Sequence, residues 1–321
     1  MDTRPLGKSG LRVSAVGVGC NNFGMGVDEA GTKAVVFKAI DLGITLFDTA
    51  DVYGGKGNSE IFLGKVLGEK RKDVLIATKF GMQMGDGLKL RGGGSRDYIV
   101  RAAETSLKRL GTDYIDLYQI HTPDTATPVE ETLRALDDLV RHGKVRYIGH
   151  SNFAGWQTSD AAWTAKMEHL TPFVSAQNRY SLLSREIEAD LVPACEAHGV
   201  GILPYFPLES GLLTGKYKPG AAPAEGTRWA AWSARMPGYV KQFFSEERFA
   251  QVEKLQALCD TAGCSILDMA MGWLLSHTTV ASVIAGATKP EQVEANAKAG
   301  AWRPSADISA KIDEITAPKK N

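Results

Sequence analysis

Short β-branched or apolar runs alternate along this chain with longer stretches of helical periodicity. The runs are AVGVG (15–19), TLFDT (45–49), VLIATK (74–79), IDLYQI (115–120), VRYIGH (145–150), FVSAQ (173–177), GILPYF (201–206) and ASVIAG (281–286). Runs of this length, bounded by polar or glycine-containing loops, predict strands. Helices are predicted between them, for example over 30–43, 95–111 and 128–143. In the last of these, Val129, Leu133, Leu136, Leu139 and Val140 share one face at helical spacing. Several of these stretches stop at a glycine (Gly43, Gly111, Gly143, Gly199), which takes the left-handed conformation at little cost.

Strand–helix alternation implies a parallel sheet covered by helices. Eight such units favour a closed (β/α)8 TIM barrel, which needs about 250 residues. The 321 residues leave a surplus. It lies in an N-terminal β-hairpin around Gly7-Lys8-Ser9-Gly10, in a long connection between strands seven and eight (207–245), and in a C-terminal helix with Ile308, Ile312 and Ile315 on one face. No linker divides the chain, so residues 1–321 are expected to form a single domain. The rival fold, an open nucleotide-binding sheet, calls for Gly-x-Gly-x-x-Gly after the first strand. Here Gly17 and Gly19 fit, but Asn22 stands at the third position.

Composition narrows the partners. The chain is 44% apolar and 23% charged with formal net charge zero. No basic patch invites nucleic acid or an anionic membrane. No apolar run is long enough to span a bilayer. The N-terminal stretch lacks the apolar centre of a secretory signal, so a cytoplasmic location is expected. Four separated cysteines with no His at finger spacing suggest no metal site.

The candidate chemistry sits at strand ends. Asp48 closes the second run, Tyr53 lies in the loop after it, Lys79 closes the third run and His121 follows the fourth. In a parallel barrel these ends share the face that carries active sites. A free phenol ionises near pH ~10, too high for ready proton exchange at neutrality. An adjacent Lys79 ammonium is expected to lower that value, with Asp48 holding the lysine and His121 donating to a substrate oxygen or relaying a proton. Taken singly, each residue has a plainer role: a packed Tyr, a turn-capping Asp, a surface Lys, a structural His. Their convergence at one barrel face argues for proton transfer at a carbonyl.

These residues lie in segments that make the chain resemble the aldo-keto reductases: GITLFDTADVYGGKGNSE (43–60), LIATKFG (75–81), SLKRLGTDYIDLYQIHTPD (106–124), GKVRYIGHSN (143–152) and GLLTGKY (211–217). The resemblance implies an NADPH/NADP+-dependent oxidoreductase, with NADH possible, that interconverts aldehydes or ketones and alcohols. Tyr53 would be the general acid/base, assisted by Asp48, Lys79 and His121. It implies that Ser151, Asn152 and Gln177 hold the carboxamide and Tyr205 stacks on the nicotinamide. Gly19, Cys20 and Asn21 would line the cofactor, and Phe206, Pro207, Leu208, Ser210, Gly211 and Lys216 would wrap the pyrophosphate. Gly286, Thr288, Lys289, Gln292 and Asn296 would take the adenosine end. Gln292 departs from the arginine that many relatives place near the 2′-phosphate. Substrate-pocket candidates are Phe23, Phe80, Trp229 and Trp232, with Met25 and Tyr239. The expected partner is a small carbonyl or alcohol, and the expected assembly a monomer or weak homo-oligomer. Two alternatives remain: an NADPH-binding regulatory or channel-auxiliary subunit of the same fold with little turnover, and a barrel aldolase using Lys79 as a Schiff base.

Overall fold

The computed structural model describes residues 1–82, 84, 93–218, 230, 233, 238, 240 and 243–318. An antiparallel hairpin of β1 (Thr3–Pro5) and β2 (Arg12–Ser14) comes first. Eight parallel strands follow: β3 (Val16–Gly19), β4 (Leu46–Asp48), β5 (Leu75–Phe80), β6 (Ile115–Ile120), β7 (Val145–Ser151), β8 (Ser175–Gln177), β9 (Gly201–Ile202) and β10 (Val283–Gly286). Their spatial order is β10-β3-β4-β5-β6-β7-β8-β9. The two ends of this sheet meet. Ile202 N–H donates to Thr279 O (2.8 Å), Ala281 N–H to Ile202 O (2.9 Å) and Ile284 N–H to Pro204 O (3.0 Å). The predicted (β/α)8 barrel is therefore what the chain forms.

The predicted helices lie at Glu29–Asp41, Arg96–Leu110 and Val129–Arg141. Gly111 and Gly199 end helices at φ 61° and 71°. The C-terminal helix, Ala306–Thr316, buries Ile312 and packs Ile308 and Ile315 against the core. The seventh run forms a shorter strand than expected because Pro204 has no N–H for the ladder. Pairing resumes around it, with Leu203 N–H on Ala176 O (2.9 Å) and Tyr205 N–H on Asn178 O (3.0 Å).

The period of two along each strand sorts its side chains between barrel interior and helix layer. Phe47, Ile76, Tyr118 and Ile120 point outward into the main core under the helices. Leu46, Ala77, Leu117 and Ile284 point inward and form a separate cluster with Leu203 and Ala281. Leu6 and Val13 of the hairpin complete that cluster, so the hairpin plugs the N-terminal end of the barrel. Arg4 clamps the plug by donating to Val280 O (2.9 Å) and Leu275 O (2.6 Å). One layer higher, the same inward parity delivers Gly19, Asp48, Lys79, Gln119, Gln177 and Gly286. Gly149 belongs to this layer because a Cβ there would lie 2.0 Å from Ser175 Oγ. The interior is thus apolar below, where the hairpin fills it, and polar above, toward the C-terminal mouth.

Candidate active site

A cavity of about 740 Å³ occupies that mouth, within the range of a cofactor site. Asp48, Tyr53 and His121 line it, and Lys79 lies wholly buried against them. Lys79 Nζ donates to Asp48 Oδ2 (2.7 Å), to Thr49 O (2.9 Å) and to the Tyr53 hydroxyl. All three ammonium protons are therefore placed. Burial alone would lower the lysine pKa, but Asp48 and Tyr53 outweigh it and raise the value. The Tyr53 ring meets His121 edge-on, with centroids 5.6 Å apart.

One expectation about these groups changes, and a second is narrowed. Tyr53 is pushed up, not down: burial dominates, and the Asp48 charge adds to it against the pull of Lys79. The phenol is therefore held as a proton carrier. His121 is pushed down to about 3 by burial and by the charge on Lys79, so it stands neutral beside Tyr53. A neutral imidazole can donate one hydrogen bond to a substrate oxygen but is not a charged acid at physiological pH.

The predicted carboxamide residues form a linked set. Gln177 Nε2 donates to Asp48 Oδ1 (2.7 Å), and Ser151 Oγ donates to the Gln177 carbonyl (2.7 Å). Asn152, at φ 62°, donates to His121 O (2.9 Å) and accepts from the Tyr205 hydroxyl (2.8 Å). These contacts fix the amide side chains from behind. The Gln177–Asp48 bond joins residues 129 positions apart and has no sequence signal.

The segment from Tyr205 to Lys216 is unusual. Phe206, Glu209 and Ser210 take φ of 52°, 45° and 57°. Such left-handed residues cost of order 1 kcal/mol or more each and persist only where the surroundings fix them. Glu209 supplies the fixing. It is fully buried, accepts from Arg248 Nη1 (2.6 Å) and Ser181 Oγ (2.7 Å), and pairs with Arg179. Burial would raise its carboxyl, but the two arginines and the serine hold it below the usual range. Glu209 was not among the sequence candidates, since its partners come from two distant segments, one holding Arg179 and Ser181 and the other Arg248. The turn presents Pro207, Leu208, Ser210, Gly211, Thr214 and Lys216 to the cavity, and Ser210 Oγ is buried there without a hydrogen-bond partner. An orphaned hydroxyl among close-packed backbone suits the oxygens of a pyrophosphate.

At the far end, Gly286, Thr288, Gln292 and Asn296 line the cavity beside Gly19 and Asn21. The Gln292 side chain folds back so that its Oε1 accepts from Thr288 N–H (2.7 Å). Lys289 is the exposed N-cap residue of the helix Pro290–Ala299 and does not face the cavity.

Several expected residues fall elsewhere. Phe80 follows Lys79, so its parity is opposite, and it packs fully buried in the outer core. Phe23 is also fully buried, and Cys20, one step beyond the inward Gly19, sits in that core as well. None of the three lines the cavity. Met25 is largely exposed outside it. Trp229, Trp232 and Tyr239 lie outside the described residues. Asn22, Met82, Leu267 and Ala295 line the cavity and were not foreseen, while Thr122, in the loop after His121, lines it as well. Among the described residues no cluster of His, Cys, Asp or Glu could hold a metal ion, and no helix is long and apolar enough to cross a membrane.

A second buried imidazole, His150, stacks on Phe153 at 4.6 Å and is also pushed down to about 3 by burial. Its folded pKa lies below the unfolded value, so its contribution is intact above about pH 6.5 and is lost as pH falls. His150→Phe should therefore lose less stability than wild type on acidification, by up to about 1.4 kcal/mol per pH unit. Parallel thermal melts across that range check this, and equal slopes would refute it.

A profile described as the aldo/keto reductase family matches residues 15–317. The chain is 38% identical over 93% of its length to an uncharacterised oxidoreductase of Bacillus subtilis, YrpG, of which it covers 91%. It is 35% identical over 93% of its length to the L-glyceraldehyde 3-phosphate reductase of Escherichia coli K12, covering 87% of that protein. It is also 36% identical over 97% of its length to a Schizosaccharomyces pombe protein whose name marks it as a candidate voltage-gated potassium channel subunit beta, covering 92% of it. The family acts on small molecules and generally uses NAD(P)H. Barrel, polar upper layer and family-wide match lead to one conclusion: the chain belongs to the aldo/keto reductase family.

Proposed function

We propose that this protein is an NADPH-dependent reductase of aldehydes and ketones, running in reverse as an alcohol dehydrogenase, with Tyr53 as general acid/base. The observation that carries the reading is the placement of Tyr53 at the cavity wall, hydrogen-bonded to a Lys79 that Asp48 holds charged. Bound nicotinamide would supply hydride to the carbonyl carbon. Tyr53 would give its proton to the carbonyl oxygen, and the Lys79 ammonium would stabilise the phenolate left behind. Neutral His121 would orient the same oxygen. Gln177, Asn152 and Ser151 would hold the carboxamide and thereby choose the ring face. The four free thiols among the described residues support a reducing, cytoplasmic setting.

The test is a panel of aldehydes, ketones and alcohols with each nicotinamide, followed at the nicotinamide absorbance. No hydride transfer with any of them would overturn the reading. The Schiff-base alternative is opposed by Lys79 itself, whose three protons are all committed and whose pKa is raised, whereas imine formation needs a neutral amine.

For the cofactor, NADPH is favoured because Lys289 sits at a helix N-terminus beside the adenosine end of the cavity. Lys289 is exposed, so its effect should be modest. Lys289→Ala should weaken NADPH binding about fivefold, close to 1 kcal/mol, and leave NADH unchanged. Fluorescence titration with both cofactors measures it, and an equal loss for the two would refute the 2′-phosphate assignment.

A second reading follows from the relatives named as potassium channel beta subunits in Schizosaccharomyces pombe, rice and Arabidopsis. A protein of that kind would bind NADPH tightly, turn over slowly and form a stable complex with a membrane partner. Turnover measured alongside co-purification separates the two readings.

A further inference from the structure

Behind Tyr53 lies a group of buried charges that the reaction scheme leaves unused. Glu60 is fully enclosed; its Oε1 accepts from Thr78 Oγ1 (2.7 Å) and its Oε2 pairs with Arg109 (3.2 Å). Arg109 also leans on the turn itself, with Nη1 3.5 Å from the Asp51 carbonyl and the guanidinium so close to Gly57 that a Cβ there would stand 2.5 Å from Cζ. Arg109 is thus committed to Glu60 and to the backbone. The Asp51 carboxyl is buried too, two residues before Tyr53. Its Oδ1 has no hydrogen-bond partner, and its Oδ2 lies 3.3 Å from the Tyr98 hydroxyl. That hydroxyl also lies 3.1 Å from the Met82 carbonyl, and Met82 lines the cavity.

Counting protons decides the state of Asp51. A phenol has one hydrogen to give. If Asp51 were a carboxylate, Tyr98 would face two acceptors and one contact would be lone pair against lone pair. A carboxylic acid removes the conflict: Asp51 donates to Tyr98 and Tyr98 donates to Met82 O. The buried Oδ1 points the same way: no hydrogen bond satisfies it, and the Val52 N–H that favours the charged carboxyl only partly offsets the cost of ionising it there.

We propose that Asp51 is a positioning residue that works in its protonated form, tying the turn that carries Tyr53 through Tyr98 to the Met82 rim of the cavity. The Asp51 N–H already joins that turn to Lys79 O (3.1 Å). The titratable and charged groups around the carboxyl are Glu60, Arg109, Tyr98 and Tyr118, with Lys79 contributing its carbonyl. Burial, reinforced by Glu60, raises Asp51 to about 7. Above that pH the proton leaves, two buried carboxylates share one arginine, and Tyr98 must choose between Asp51 and Met82. The rim at Met82 then loses its tether, and substrate binding weakens while the Asp48–Lys79–Tyr53 contacts stay in place.

The substrate half of this proposal rests on the reductase reading, so its test has two arms. The first needs no turnover: melts of wild type and Asp51→Asn from about pH 4 to about pH 9. A carboxyl whose folded pKa exceeds its unfolded value contributes nothing adverse below the unfolded value and costs stability as pH rises through the folded one. Asparagine imitates the neutral acid, so the two proteins should match at low pH and wild type should fall behind as pH rises to about 7. A difference that stays constant, or that widens on acidification, overturns the proposal. The second arm follows KM for an aldehyde. In wild type it should rise about fivefold across neutral pH, the factor one net hydrogen bond carries, and in Asp51→Asn it should stay level. Tyr98→Phe should show the higher KM at every pH, and it serves if Asp51→Asn does not fold. A Tyr98→Phe enzyme whose KM still climbs like wild type overturns the proposal. If no carbonyl is reduced, the reductase reading fails and the melting arm still decides the state of Asp51.

Discussion

Tyr53→Phe is expected to reduce carbonyls about 10²- to 10⁴-fold more slowly while still binding NADPH. Phenylalanine keeps the ring that meets His121 edge-on and leaves the amide set of Ser151, Asn152 and Gln177 untouched. What disappears is the one proton at this wall whose conjugate base faces the Lys79 ammonium. His121 cannot stand in for it as a cationic acid, since its pKa of about 3 leaves it neutral. The decisive measurement is kcat with saturating cofactor, alongside a binding titration. Turnover within tenfold of wild type would dismiss Tyr53 as the proton donor; lost cofactor binding would mean that the ring does more than carry a proton.

Lys79→Met should lose about 3–5 kcal/mol of stability, together with activity. Methionine fills a similar volume, so little of the loss comes from packing. Asp48 would be left buried with only the Gln177 amide for company, and that uncompensated charge is the main cost. The double variant Asp48→Asn, Lys79→Met tests this cause. Asparagine removes the charge and keeps an acceptor for Gln177, so at least half of the lost stability should return while activity does not. Urea unfolding measures both. A single variant within about 1 kcal/mol of wild type would show that the pair is not the electrostatic unit described here.

The strand ends were legible because two features coincide in the sequence: an apolar run marks the strand, and its last inward residue is polar. Lys79 after Ala77, and Asp48 after Leu46, can be read by stepping two residues up the same face. The same step would have excluded Phe80 and Cys20, whose odd offset sends them outward. The ionisation of Tyr53 was not legible. Its direction depends on whether burial and Asp48 outweigh Lys79, which is a matter of depth and angle. Nor could Glu209 be found, since its partners Arg179, Ser181 and Arg248 sit up to 39 positions away with no common motif. Local pattern reports which face a residue takes; it does not report what arrives opposite from another loop.

The hairpin plug ties early and late parts of the barrel together in time as well as in space. Leu6 and Val13 leave the ribosome well before Leu203, Ala281 and Ile284, residues of the cluster that receives them. The carbonyls that hold Arg4 lie 271 and 276 positions downstream. The hairpin must therefore wait, its apolar side chains uncovered, until the strand Val283–Gly286 has been made. Contacts of such long range slow folding because chain closure comes before its reward. Seating the plug and bringing the last strand beside the first become one late step, so a nascent chain halted before residue 280 has no finished barrel floor on which its upper polar layer can rest.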